Sequence, residues 1–355
     1  MAGLGAGGAV GLAALALCLG SGCSDLAYYR QSVQGHLDLL SRAKPVDEWI
    51  AQADTPAALK QRLALAKRMR EFSVQVLQLP DNASYRTYAD LQRPAAVWNV
   101  AAAPALSLQL KNWCYPVTGC VAYRGYFDKA QAEALGGQLR GTGWDVAVYA
   151  VPAYSTLGWS NWLGGDPLLN TFVGGSEGEL ARLIFHELAH QQLYIADDTM
   201  FNESFAVAVE RIGVRLWLQQ HGSEAARAQY RETRQRREDF RELTMRWRER
   251  LQQLYASGLP DAQKLAAKAE LLQGLRDEYA QLKQQRWGGY AGYDAWFAQV
   301  DNASLGVLAA YDEAVADFER LFEQQGRDFT RFYAEAARIG ALPKDQRHAT
   351  LRAVA

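Results

Sequence analysis

In Leu183-Ile184-Phe185-His186-Glu187-Leu188-Ala189-His190-Gln191, two histidines stand four positions apart with a glutamate directly after the first. The surrounding Leu, Ile, Phe and Ala give the segment a helical texture, and positions i and i+4 of a helix share one face. Both imidazoles can therefore reach a single metal ion, with Glu187 projecting beside them. The apolar neighbours pack the opposite face of the helix. The chemistry needs this spacing: two neutral nitrogens hold Zn2+, and a carboxylate accepts the proton of a water that the metal has acidified. Only five histidines occur in the chain, and two of them are used here.

A catalytic zinc site takes three protein ligands and leaves a position for water. After a turn at Asp197-Asp198-Thr199, the segment from Phe201 to Glu210 opens a second apolar-rich helix. Glu203 at its first turn can face back toward the histidines of an antiparallel neighbour, as the third ligand. Its bland alternative is an ordinary carboxylate at a helix N-terminus. Glu210, two turns on, shares that face and is read as a supporting carboxylate behind a ligand, with Arg211 or Arg215 as its partner.

The remainder of the chain sets the context. Its 355 residues suffice for a sizeable core, and 38 Lys+Arg against 39 Asp+Glu give a net charge of −1, which argues against nucleic acid as a partner. Residues 1–22 carry no charged side chain and run apolar from Val10 to Leu19, the pattern of a signal peptide; the run is too short for a comfortable span of about 20 residues. Leu19-Gly20-Ser21-Gly22-Cys23 resembles a bacterial lipobox, which implies that Cys23 becomes the lipidated N-terminus. Ser24 after it points to the outer membrane, facing the periplasm. In that oxidising compartment Cys114 and Cys120, flanking a Pro116/Gly119 turn, are read as a disulfide, with two free thiols as the alternative.

Four segments are expected: the signal peptide 1–22, an N-terminal helical segment 23–80, a catalytic core 81–220, and a helical C-terminal region 221–355 packed on the core. In the first helical segment Tyr28, Val33, Leu37 and Leu40 form a stripe. Thr55-Pro56 opens a second helix by a cap, striped with Leu59, Leu63, Ala66, Met69, Phe72 and Val76 until Pro80. Short strands are expected at Val97–Val100, Val121–Tyr126 and Val146–Val151, with a helix over Asp128–Leu139 despite Gly136 and Gly137. Ser176, with Glu177 and Glu179, caps the helix of the histidine motif. The Arg-rich stretch 227–250 carries a stripe of Phe240, Leu243, Trp247, Leu251 and Leu254, so its charge reads as a solvated helix face.

His-Glu-Leu-Ala-His-Gln followed by Asn202-Glu203-Ser204-Phe205-Ala206 resembles the paired motifs of gluzincin metallopeptidases of the aminopeptidase-N type. That resemblance implies one Zn2+ held by His186, His190 and Glu203, with Glu187 as general base. The motif by which those enzymes grip a free amine is absent, so peptidase is better supported than aminopeptidase. Over nearly its whole length the chain is similar to a bacterial lipoprotein family of predicted aminopeptidases. The similarity rests on Tyr28-Tyr29, Gln31 to Leu37, Cys114 to Phe127, Tyr154 to Trp159, Asp166 to Thr171 and the zinc segment. It implies an α+β, zincin-like core with a small sheet and an extensive, mainly helical remainder, in the bacterial cell envelope.

Two further roles follow from how zincins work. Substrate is held along an edge strand ahead of the zinc helix, for which Tyr154–Trp159, with Gly158 and Trp159, is the candidate; a loop packing Trp159 and Trp162 on the core is the alternative. A donor to the oxyanion is sought at Tyr293, then Tyr290, and less so His221. His36 and His348 read as structural or surface residues. The expectation is a zinc-dependent hydrolase of peptides, tethered to the membrane by lipid. The alternatives are a lipid-anchored peptide-binding or scaffold protein with an inactive zincin fold, and a zinc amidase acting on cell-wall peptides. Nothing in the sequence speaks to oligomeric state.

Overall fold

The computed structural model describes residues 23–115, 119–156, 164–196, 198–308 and 314–353. It is an α+β protein in which most residues are helical and the sheets are small.

Strands come in chain order as β1 (Lys44–Pro45), β2 (Thr87–Ala89), β3 (Val97–Pro104), β4 (Trp113–Tyr115), β5 (Gly119–Val121), β6 (Arg124–Tyr126), β7 (Trp144–Val151) and β8 (Leu168–Leu169). The main sheet has the order β6-β3-β7 and is antiparallel throughout. β3 is the centre: its residues from Val97 to Ala103 are all buried, as suits a strand covered on both faces. Trp98, Val100 and Ala102 pack with Val146 and Ala132 under the helix Lys129–Gly141. Gly136 belongs in that helix because a Cβ there would lie 2.9 Å from Val148 Cγ2. A disulfide joins Cys114 and Cys120, directly paired across the β4–β5 hairpin.

Two sequence expectations change here. Val121–Tyr126 is two strands in two different sheets, broken after Val121. β1, β2 and β8 were not anticipated, because strands of two or three residues are too short to show alternation; they form a sheet of order β1-β2-β8 with β2 and β8 parallel.

The helix Cys23–Arg42 meets the sheet through Tyr28, which stacks on Tyr115 and sits under the Arg124 guanidinium. Val33 and Leu37 lie on its other side and are exposed, 58% and 55%, so the expected stripe is not its buried face. In the helix Ala57–Gln75 the stripe holds, with Leu63, Ala66, Met69 and Phe72 buried; Pro56 is its N-cap, and Thr55 makes no capping bond. The histidine-motif helix, Glu177–Gln192, starts at Ser176, whose hydroxyl accepts from Glu179 N. Its neighbour Thr199–Gln220 starts two residues earlier than expected and runs antiparallel to it. Both bury Phe185, Leu188, Phe205 and Val209 in one core that also takes Leu39 near one end of the chain and Leu351 near the other.

The helices Glu224–Ala256 and Asp261–Gln285 form a hairpin with a separate cluster around Phe240, Trp247, Leu275 and Phe297. The Arg-rich stretch presents its apolar stripe to that cluster, as expected. Buried Lys268 ties the hairpin to the main sheet by donating to Asp145 Oδ2 (2.5 Å) and to Ala105 O (3.0 Å).

Asp198 fixes the start of the helix that carries Glu203. It caps Phe201 N at 3.2 Å, and its buried carboxylate accepts from Arg347 Nη1 (2.5 Å) and His348 Nε2 (2.9 Å) of the helix Lys344–Arg352. Burial alone would raise the pKa of Asp198, but the bonds from Arg347 and His348 outweigh it and hold the carboxyl below its usual 3.8. A depressed folded-state pKa contributes stability that is full above the unfolded value and lost as pH falls through the folded one. Asp198→Asn keeps the cap acceptor but leaves the Arg347 charge buried, an expected loss of about 3–5 kcal/mol at pH 7. Urea unfolding should show that gap shrinking below about pH 4, as the wild-type carboxyl protonates. Equal stabilities at neutral pH would show that the pair contributes nothing.

Candidate metal centre

The helices Glu177–Gln192 and Thr199–Gln220 bring three ligand groups together. His186 Nε2 lies 3.1 Å from His190 Nε2, and the two nitrogens lie 3.4 and 3.7 Å from the Glu203 carboxylate oxygens. Ligands bonded tetrahedrally to zinc at about 2.0–2.1 Å stand about 3.3 Å from one another. The three separations bracket that edge, and among the described residues this is the group of His, Cys, Asp and Glu that could hold an ion. Glu203 is in the second turn of its helix, one turn later than the sequence suggested, because Asp198 already serves as the cap.

Behind the histidines, charge is arranged in alternation. Glu210, almost fully buried, accepts at Oε2 from His186 Nδ1 at 2.9 Å. Its other partner is Arg182 (Nη1, 3.3 Å), one turn before His186, and not Arg211 or Arg215 on its own helix. Arg182 also donates to Glu179 (3.0 Å), which accepts in turn from Arg237 of the helical hairpin (2.6 Å). The electrostatics follow. Burial opposes charge on His186, but the bonds with Glu203 and Glu210 prevail and push its pKa up to about 10. Burial likewise opposes ionisation of Glu203, yet His186 and His190 hold it well below the usual carboxylate range. Glu210 is lowered too, against its burial, by Arg182 and His186. The pocket thus gathers two carboxylates against two imidazoles, a donor set that suits a divalent cation.

Glu187 follows His186 on the same helix. Two tyrosines outside the sequence-predicted set, Tyr123 and Tyr85, feel its charge. Tyr149 on β7 accepts from Asn99 of β3 at 3.4 Å. Tyr123, between β5 and β6, is 38% exposed as a whole residue, yet its phenol pKa is raised by partial desolvation and by Tyr149, Glu203, Tyr194 and Glu187. Tyr85 is 1% exposed, and Glu187 is the nearest charge in effect on its phenol, after burial itself. No periodicity marks these residues, since they come from three loops and a strand.

Other candidates fall elsewhere. Tyr293 stacks on Phe240 with ring centroids 4.5 Å apart and packs beside Trp287 and Trp296 in the hairpin cluster. Its charged neighbours are Arg237, Glu179 and Arg182, so it stands at the outer end of the ion-pair chain rather than among the ligand atoms. The Gly288-Gly289 turn, with both residues at positive φ, folds this segment back onto the hairpin. Tyr290 lies under the Arg236 guanidinium, and His221 packs on Trp217 and Phe72. His348 anchors Asp198, whereas His36 sits against Tyr154. Gly158, Trp159, Trp162 and the leader 1–22 lie outside the described residues; Cys23 opens the first helix.

A family model described as "Putative aminopeptidase" matches residues 27–351. The chain belongs to this family. The matched span takes in His186, Glu187, His190, Glu203 and Glu210 together with the disulfide. No curated protein and no solved structure matches the chain.

Proposed function

We propose that this member of the aminopeptidase family is a zinc-dependent peptide hydrolase. The observation that carries the reading is the trio of ligand separations, 3.1, 3.4 and 3.7 Å, in a buried pocket built from two histidines and a carboxylate. His186 Nε2, His190 Nε2 and the Glu203 carboxylate are the groups that would hold the ion. Zinc bound there supplies Lewis acidity, polarising a scissile carbonyl and making a water a stronger acid. Glu187 takes the proton of the attacking water on its carboxylate and passes it to the leaving amine nitrogen. Glu210 binds the Nδ1 proton of His186, which fixes the tautomer whose Nε2 lone pair faces the pocket. Arg182 holds Glu210 against rotation and balances its charge.

A structural zinc site normally closes with four protein ligands, whereas among the described residues this cluster offers three, which favours catalysis over a scaffold. The proposal extends to location: lipid attachment at Cys23 in the bacterial envelope, facing the periplasm of the outer membrane. The uncharged leader and the Cys114–Cys120 disulfide support it.

The test is metal analysis of the purified protein combined with digestion of a peptide library. One zinc per chain with cleavage is the expected outcome, and products that begin at free N-termini would support the aminopeptidase mode. Absence of tight metal binding would overturn the reading. Cleavage restricted to cell-wall peptides would redirect it to an amidase. Glu210→Gln is expected to weaken zinc binding about 10- to 100-fold in competition with a chelator. An unchanged affinity would remove Glu210 from the support of His186.

A further inference from the structure

Tyr85 combines two features that each cost stability. Its backbone is left-handed, with φ of 63°, a conformation that side chains other than Gly, Asn and Asp rarely take. Its hydroxyl is buried and has no hydrogen-bond partner among the described residues. Such an orphaned group is a liability unless something later bonds to it.

The surroundings force Tyr85 into this state from two sides. Buried Arg70 donates to the carbonyls of Pro80, Asn82 and Ser84 at 2.8, 3.1 and 2.9 Å, which shapes the loop before it. On the other side Tyr85 N donates to Asp166 O at 2.6 Å, and Asp166 N donates to Ser84 Oγ at 3.1 Å. The approach is so close that a Cβ on Gly165 would lie 2.5 Å from Ser84 N. This loop is docked on the histidine-motif helix: Asn82 Nδ2 donates to Gln191 Oε1 at 2.7 Å, and Gln191 Nε2 donates to Ser84 Oγ at 3.2 Å. Gln191 is one turn beyond Glu187 and shares its face. The loop that carries Tyr85 is thereby docked one helical turn from Glu187, and after burial Glu187 is the foremost charge acting on the Tyr85 phenol.

We propose that Tyr85 is a positioning residue for Glu187, its hydroxyl donating a hydrogen bond to the Glu187 carboxylate when that carboxylate turns to carry the proton. The inference rests on the peptidase reading of the site. Glu187 needs a fixed direction as it first accepts and then releases a proton, and a neutral donor in a dry seat supplies direction without adding charge. Burial and the neighbouring carboxylates keep the Tyr85 phenol protonated, as a donor must be.

The experiment compares wild type with Tyr85→Phe and Glu187→Gln. Tyr85→Phe keeps the ring and its packing and removes an orphaned hydroxyl, so thermal stability should be equal or higher and zinc content unchanged, while kcat falls about a hundredfold at constant KM. In the Glu187→Gln background the same substitution should have no further effect on rate. A second readout does not depend on turnover: in protein labelled with 13Cζ-tyrosine, the resonance lost in Tyr85→Phe identifies this phenol. Its shift should differ between wild type and Glu187→Gln, with zinc or without. A Tyr85 resonance blind to Glu187 in both states overturns the proposal, as does a hydroxyl whose removal lowers stability and leaves kcat intact. Failure of the peptidase reading would show separately, as wild-type protein that cleaves no peptide.

Discussion

Zinc-loaded Glu187→Gln is expected to hydrolyse peptides about 10²- to 10⁴-fold more slowly than wild type while retaining one equivalent of metal. The amide matches the carboxylate in shape but cannot accept a proton, so the substitution removes the base and leaves the packing. Metal is retained because the three groups that converge are His186, His190 and Glu203, and Glu187 is outside that set. The two measurements must be made on one preparation, turnover together with zinc per chain. A variant within a few-fold of the wild-type rate would exclude Glu187 as the base; loss of both rate and zinc would make it part of the metal cage.

Substitution of a ligand separates the two roles in the opposite direction. His190 is 6% exposed and its Nε2 faces both His186 and Glu203, so His190→Ala removes one corner of the triangle. A ligand that binds only the folded state stabilises it by RT ln(1 + [L]/Kd), about 4 kcal/mol at 1,000 times Kd. Wild type should therefore melt several degrees higher with zinc than after chelation, and His190→Ala should melt at the same temperature in both. A zinc-dependent rise persisting in the variant would place the metal elsewhere.

The convergence of His186, His190 and Glu203 is legible in the sequence because helical spacing is a local property. His186 and His190 are four apart, Ser176 caps their helix, and Glu203 and Glu210 recur on one face of the next. Arg182 was legible in principle by the same rule, standing four residues before His186. The sequence points instead to Arg211 or Arg215 on Glu210's own helix, whereas antiparallel packing supplies the partner from the facing one. Tyr85 had no signature at all, since its seat is made by Arg70, Asp166 and Gln191, which are far from it in sequence or joined only through the fold. Tyr293 packs away from its expected place for a related reason. A tyrosine in a glycine-rich break looks available in sequence, but its ring had a stronger claim from Phe240, which offers a stacked apolar surface.

The pairing of Asp198 with Arg347 spans 149 positions. The start of the helix that carries Glu203 is therefore completed only when the C-terminal helix Lys344–Arg352 has docked on it. A chain cut before Arg347 would keep His186, His190 and Glu203 but lose the cation that Asp198 faces, so the order of the three converging groups depends on residues that never touch them.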